Sequence, residues 1–187
     1  MDKVQHKYVD ATGLKLHIEE TGTGHKVVNF LHGFPEIWYS WRYKMIAPVN
    51  AFVVGKDFGA LTAYQFAILH PESMQGIVTC GIPYCPPGGF EQLISLLPEG
   101  FYIARWMEPV GRAEAEFGRL AIKNVVRNIY VLFSKSELPI AEEGKEVMDL
   151  VDESHPLPSW FSEEDLSAYA TLYEKSGFRT ALQVPYR

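Results

Sequence analysis

Apolar and polar positions change period along this chain, and the changes outline its elements. Around Lys7-Tyr8-Val9 and Leu14-Lys15-Leu16-His17-Ile18 they alternate, on either side of Ala11-Thr12-Gly13, which predicts a hairpin. Three short apolar runs follow, at Val27–Leu31, Ala51–Gly55 and Gly76–Cys80, and read as buried strands. Between them, Ile37–Ile46 has a helical pattern, and Phe58–His70 is a strongly apolar helix closed by Pro71. This alternation predicts a mainly parallel sheet flanked by helices. After Pro86-Pro87-Gly88-Gly89 the character changes, and helical periods dominate over Ala113–Phe133, Glu146–Val151 and Glu163–Lys175. Ser162 with Glu163, Glu164 and Asp165 has the signature of a helix start, and Gly177 that of a stop. Two regions are therefore expected, an α/β part over 1–85 and a helical part over 86–187.

Composition narrows the function classes. With 187 residues, the chain can bury roughly 70% of its unfolded surface. A net charge of −6 without any basic stripe argues against nucleic acid as a partner. No apolar run is long enough to span a bilayer, and the polar start Met1-Asp2-Lys3-Val4-Gln5-His6 lacks a signal-peptide core, so a cytoplasmic setting is expected. The two cysteines, Cys80 and Cys85, fit reduced thiols better than a disulfide framework.

The chemistry concentrates at two strand ends. Gly55-Lys56-Asp57-Phe58-Gly59 sits between a buried strand and an apolar helix. That context resembles a nucleophile elbow, in which G-x-Nuc-x-G forces a sharp turn and lifts the nucleophile above the sheet. A carboxylate here suits attack on an electrophilic sp³ carbon, with an ester as product. Asp as a simple helix N-cap is the competing reading. Upstream, His32-Gly33-Phe34-Pro35 directly follows a buried strand. In such folds this loop gives one backbone N–H of an oxyanion hole and the residue after the nucleophile gives the other, which points to Phe34 and Phe58.

His32-Gly33-Phe34-Pro35-Glu36 with Trp38 and Trp41, then Gly55-Lys56-Asp57-Phe58-Gly59, resembles the soluble, plant-type epoxide hydrolases of the α/β-hydrolase superfamily. Tyr102-Ile103-Ala104-Arg105-Trp106-Met107-Glu108-Pro109 resembles their cap segment, and Ser176-Gly177-Phe178-Arg179 through Tyr186-Arg187 resembles the segment bearing a second tyrosine. The resemblance implies Asp57 as nucleophile and Tyr102 and Tyr186 as ring-opening proton donors. It also implies a small apolar epoxide as substrate, with Trp38 and Trp106 lining its pocket, a helical cap over 86–187, and no metal or cofactor. Phenol O–H groups, with pKa about 10, suit donation to a nascent alkoxide. Ten tyrosines are present, and only motif context singles out these two. Haloalkane dehalogenases share the Asp nucleophile but place Trp after it; Phe58 has no N–H for a halide.

The chain also departs from that family. The interval from His32 to Asp57 holds one helix, where the family fits a further strand and helix that need on the order of 30 residues. An internal deletion near Met45–Phe52 is expected, giving an incomplete α/β-hydrolase fold with unpaired sheet edges prone to self-association. Val184-Pro185 stands where the family has an Asn and an aromatic. None of His6, His17, His25, His32, His70 and His155 matches the family's base, so impaired turnover is expected. A non-catalytic binding or interaction fragment is the alternative from a different class.

Overall fold

A computed structural model describes residues 4–186 except 12, 24–26, 42–51, 87, 108, 138–139 and 153. The chain divides into two units, Met1–Tyr84 and Cys85–Arg187, one residue before the expected boundary.

The first unit opens with the expected hairpin, longer than its clearest alternation: β1 (Gln5–Ala11) pairs antiparallel with β2 (Leu14–Glu20). Among the described residues it forms a sheet of its own. A second, parallel sheet has the order β3 (Asn29–Leu31), β4 (Val53–Lys56), β5 (Ile77–Cys80). Its register places Leu31 opposite Gly55 and Lys56 opposite Cys80. Among the described residues only β4 is paired on both sides, and its Val53 and Gly55 are buried.

The helix α1 (Phe58–Leu69) packs on all three of these strands. It is apolar around its whole circumference, the mark of a helix built to be covered. Yet Ile68 and Leu69 are 59% and 70% exposed, as is half of Val78 on β5. Of the helix expected over Ile37–Ile46, the structure shows a 3₁₀ turn at Trp38–Trp41. The rest of that expectation, and the junction near Met45–Phe52 up to residue 51, lies outside the described residues.

The second unit is helical: α2 (Gly89–Ser95), α3 (Tyr102–Met107), α4 (Arg112–Gly118), α5 (Ile122–Phe133), α6 (Glu163–Ser176) and α7 (Arg179–Tyr186). Two expectations are corrected here. Ala113–Phe133 is two helices, because the chain leaves helical geometry at Ala121, which caps α5 with φ −61° and ψ 144°. Glu146–Val151 is likewise reduced to a 3₁₀ turn over Val147–Leu150.

The cause of α6 is plain in its sequence. Leu166, Tyr169, Ala170 and Tyr173 recur at helical spacing and are all buried. The Ser162 hydroxyl accepts from the Asp165 N–H at 3.1 Å, and the Asp165 carboxylate accepts from the Ser162 N–H in return. At the other end Gly177, at φ 63°, donates its N–H to the Tyr173 carbonyl at 2.7 Å.

A buried carboxylate ties this unit together. Glu116 on α4 accepts from the Trp106 indole N–H at 3.0 Å and from the Met148 backbone N–H at 2.6 Å. Burial pushes its pKa up, partly offset by these two donors. Replacing Glu116 with Ala leaves two buried donors unpaired. Urea denaturation of E116A should show a loss of about 2–4 kcal/mol, and E116Q, which keeps one acceptor, a smaller one.

Candidate active site

The site lies where β4 ends and α1 begins, at the C-terminal edge of the parallel sheet, where open α/β sheets bind ligands. Asp57 occupies that junction at φ 54° and ψ −132°, the one non-glycine residue with positive φ among the described residues. A backbone in this region costs about 1–3 kcal/mol and persists only where its surroundings enforce it. The Asp57 N–H donates to the Cys80 carbonyl of β5 at 2.8 Å, and the Asp57 carbonyl accepts from the Ala60 N–H at 2.8 Å. Both sides of the turn are therefore pinned, one to the sheet and one to the helix.

The flanking glycines are required by contact. A Cβ on Gly55 would lie 2.6 Å from the Gly59 carbonyl oxygen and 2.7 Å from the Ala60 Cα. A Cβ on Gly59 would strike the carbonyl group of Leu31 and come within 2.9 Å of that of His32. Helix α1 thus starts directly against the end of β3, with no room for a side chain between them. The N-cap reading of Asp57 fails on geometry, because its side chain makes no capping hydrogen bond.

The same approach brings the His32–Pro35 loop onto the carboxylate. A Cβ on Gly33 would lie 2.7 Å from the Asp57 Oδ2, so a bare Gly33 backbone faces the Asp57 carboxylate. Phe34 and Pro35 beside it are buried, as is Phe58. The Phe58 N–H hydrogen-bonds the Asp57 carboxylate and lowers its pKa. His32 is exposed, and its Nδ1 lies 3.0 Å from the Gly33 carbonyl, toward which the ring N–H donates. Trp38 is half-buried, its ring edge-on to His6 at 5.4 Å.

Two charged residues not singled out from the sequence also act here. Lys56 is ion-paired with Glu36, a buried residue directly after the His32–Pro35 loop. Burial raises the Asp57 pKa from 3.8 to about 6, with the Lys56 cation lowering it and the Glu36 carboxylate raising it. The folded chain therefore holds a proton here that the unfolded chain would release. Stability falls by about 3 kcal/mol as pH climbs from 3.8 to 6 and is level above that. Such a carboxylate is poorly solvated and is anionic only above about pH 6. The pairing of Glu36 with Lys56 had no local signature, because the partners stand 20 positions apart and meet only once β3 and β4 align.

In the helical unit, Tyr102 and Trp106 lie one turn apart on α3, with ring centroids at 5.4 Å, and Tyr102 also meets Phe133 edge-on at 4.7 Å. Trp106 is fully buried and its indole N–H is given to Glu116, so it serves the packing of its own unit. Tyr186 falls in α7, and its side chain lies outside what the structure describes.

No protein-family model matches the sequence. Individual proteins do. Epoxide hydrolase 2 of Siraitia grosvenorii is 28% identical, and the match covers 95% of this chain and 71% of that protein. Bifunctional epoxide hydrolase 2 of Rattus norvegicus is 25% identical across 96% of this chain and 41% of its own length. An epoxide hydrolase variant from Vigna radiata superposes with a TM-score of 0.83 at 27% identity, covering 100% of this chain and 73% of its own. In sequence and in fold this chain is similar to soluble epoxide hydrolases of the α/β-hydrolase fold. An epoxide hydrolase from an endophytic Streptomyces gives a TM-score of 0.81 at 26% identity, covering 100% of this chain and 72% of its own. The sheet-and-helix architecture is an incomplete α/β-hydrolase fold. The match to the Siraitia relative runs over 228 aligned positions, more than the 187 residues here, so that relative carries internal sequence that this chain lacks.

The charge arrangement has a measurable consequence. Replacing Lys56 with Gln removes the cation that favours ionised Asp57 and leaves the raising effect of Glu36. The pH midpoint for covalent labelling of Asp57 by a small epoxide should then rise by about 1 unit from its parental value near 6. A midpoint that stays put or falls would show that Lys56 does not act on Asp57.

Proposed function

We propose that this chain opens small apolar epoxides by covalent catalysis at Asp57 and stops at the ester. The observation that carries the reading is a half-buried carboxylate fixed at positive φ on a strand–helix elbow, with the bare Gly33 backbone against it. An Asp57 oxygen attacks a ring carbon, forming a C–O ester bond while the ring C–O bond breaks. The electron pair goes to the epoxide oxygen, which takes a proton from Tyr102 or Tyr186. Hydrolysis then requires water to attack the ester carbonyl at Asp57. The oxyanion formed there would be held by the N–H groups of Phe34 and Phe58. The hydrogen bond from the Phe58 N–H to the Asp57 carboxylate supports that role. With no indole at Phe58 to hold a leaving halide, the site favours an epoxide over a haloalkane.

In this reading Met1–Tyr84 is a partial hydrolase core and Cys85–Arg187 the cap, and the setting is cytoplasmic. Among the described residues, no helix is long and apolar enough to cross a membrane. The internal sequence missing relative to the Siraitia protein would fall near Met45–Phe52. It would supply the strand that joins the hairpin to the parallel sheet, two sheets that stand separate among the described residues.

In this reading the second step proceeds without a histidine base. The charged groups acting on Asp57 are Lys56 and Glu36, and among the described residues no histidine hydrogen-bonds it. Unactivated water attacks an ester slowly, so the alkyl-enzyme persists. A second reading, association through uncovered apolar surface, draws on the exposure of Ile68, Leu69 and Val78.

Product counting tests the proposal. Incubated with excess aryl epoxide, the 187-residue chain should release no more than about one diol per polypeptide. Steady production of many equivalents by a homogeneous sample would refute the arrested reaction.

A further inference from the structure

We propose that the β1–β2 hairpin carries a site for a divalent transition-metal ion of the zinc class, built from His6, His17 and Glu19. The site is independent of the chemistry at Asp57 and follows from strand register. His6 on β1 stands directly opposite Glu19 on β2, and His17 lies two residues before Glu19. Residues two apart share one face of a strand, and opposed residues share that face across the pair, so all three side chains project together.

Their donor atoms converge accordingly. His6 Nδ1 and His17 Nε2 lie 3.3 Å apart, His17 Nε2 lies 2.8 Å from Glu19 Oε1, and His6 Nδ1 is in contact with the same oxygen. The three donor atoms fall within 4.8 Å of one another. Ligands that share a tetrahedral zinc at about 2.0–2.2 Å sit about 3.3 Å from each other, the separation of the two imidazole nitrogens. A small rotation of the Glu19 carboxylate would bring the third donor to the same spacing.

The state of Glu19 is the second observation. Its side chain is only 4% exposed and both carboxylate oxygens are shielded from solvent; beyond the two imidazole contacts to Oε1, neither oxygen accepts a hydrogen bond among the described residues. A shielded carboxylate with no other hydrogen bonds is costly unless a cation meets it. The flanking imidazoles offer lone pairs, and His6 and His17 are 52% and 37% exposed, so an ion has an entry path and a position for water. Two nitrogens and one carboxylate oxygen suit zinc, with cobalt(II) and nickel(II) as surrogates, better than calcium or magnesium, which prefer all-oxygen sets. Other aromatic rings frame the site: Tyr8 lies against His17 at 4.9 Å, and Trp38 is edge-on to His6.

A bound ion would clip β1 to β2 and, through His6, fix the Trp38 ring that follows the His32–Pro35 loop. The test uses the untagged full chain, stripped with a chelator and titrated with Zn²⁺ against a chromogenic competitor. The parent should bind one equivalent, gain thermal stability with added zinc, and change its tryptophan fluorescence. H17A and E19Q should each weaken binding by at least about 100-fold, whereas D57N and the C80S/C85S double variant should leave it unchanged. H6Q changes the most exposed of the three residues and gives a variant whose folding is checked by circular dichroism. Loss of zinc binding in a folded H6Q chain would support the site. No binding by the parent would show that the cluster is held by imidazole–carboxylate contacts alone. Binding unchanged in H17A and H6Q would place the ion elsewhere. Either result overturns the proposal.

Discussion

Helix α1 begins so close to the end of β3 that neither Gly55 nor Gly59 could carry a side chain, and this close approach governs the rest of the first unit. To pass from β4 into α1 within one residue, the backbone takes a conformation that L-residues avoid, and Asp57 is the residue that takes it. The carbonyl of Cys80 and the N–H of Ala60 hold it there. The geometry has a chemical consequence, because a carboxylate raised above the sheet cannot fold back to cap its helix. It faces Gly33 instead.

The electrostatics follow from that placement. Burial alone would keep Asp57 protonated well beyond the usual carboxylate range, and the Lys56 cation and the Phe58 N–H counter part of that effect. Glu36 limits the help from Lys56 by pairing with it. The resulting carboxylate is anionic at neutral pH yet weakly solvated, a combination that favours attack on carbon over hydrogen bonding to water. Strain and desolvation both weigh against the folded state, and α1 has apolar surface left uncovered at its C-terminal end. In the helical unit, α5 and α6 bury their apolar faces.

Much of this was legible in the sequence, and the exceptions have physical causes. The hairpin, the three parallel strands and α1 were readable because their apolar periods are short and bounded by Gly or Pro. The capping box at Ser162 and the stop at Gly177 are local chemistry, and both form. The break between α4 and α5 was hidden because the apolar period runs on through Arg119, Leu120 and Ala121. The elbow motif carries its own steric logic, so Asp57, Gly33 and Phe58 could be brought together in advance. Glu36–Lys56 and the His6–His17–Glu19 group could not, since each is assembled by strand register between distant positions. Trp106 shows the reverse case: a motif suggested a pocket residue, while its indole N–H is committed to Glu116 in the core of its own unit.

The central claim is that this elbow makes Asp57 a competent nucleophile whose ester is not released. Intact-mass spectrometry after exposure to an aryl epoxide addresses it directly, with the modified residue located by peptide mapping. The account predicts a mass gain of one epoxide on the parent chain, located on Asp57, absent from D57N, and forming faster as pH rises through about 6. An unmodified parent chain, or an adduct that survives in D57N, would contradict it.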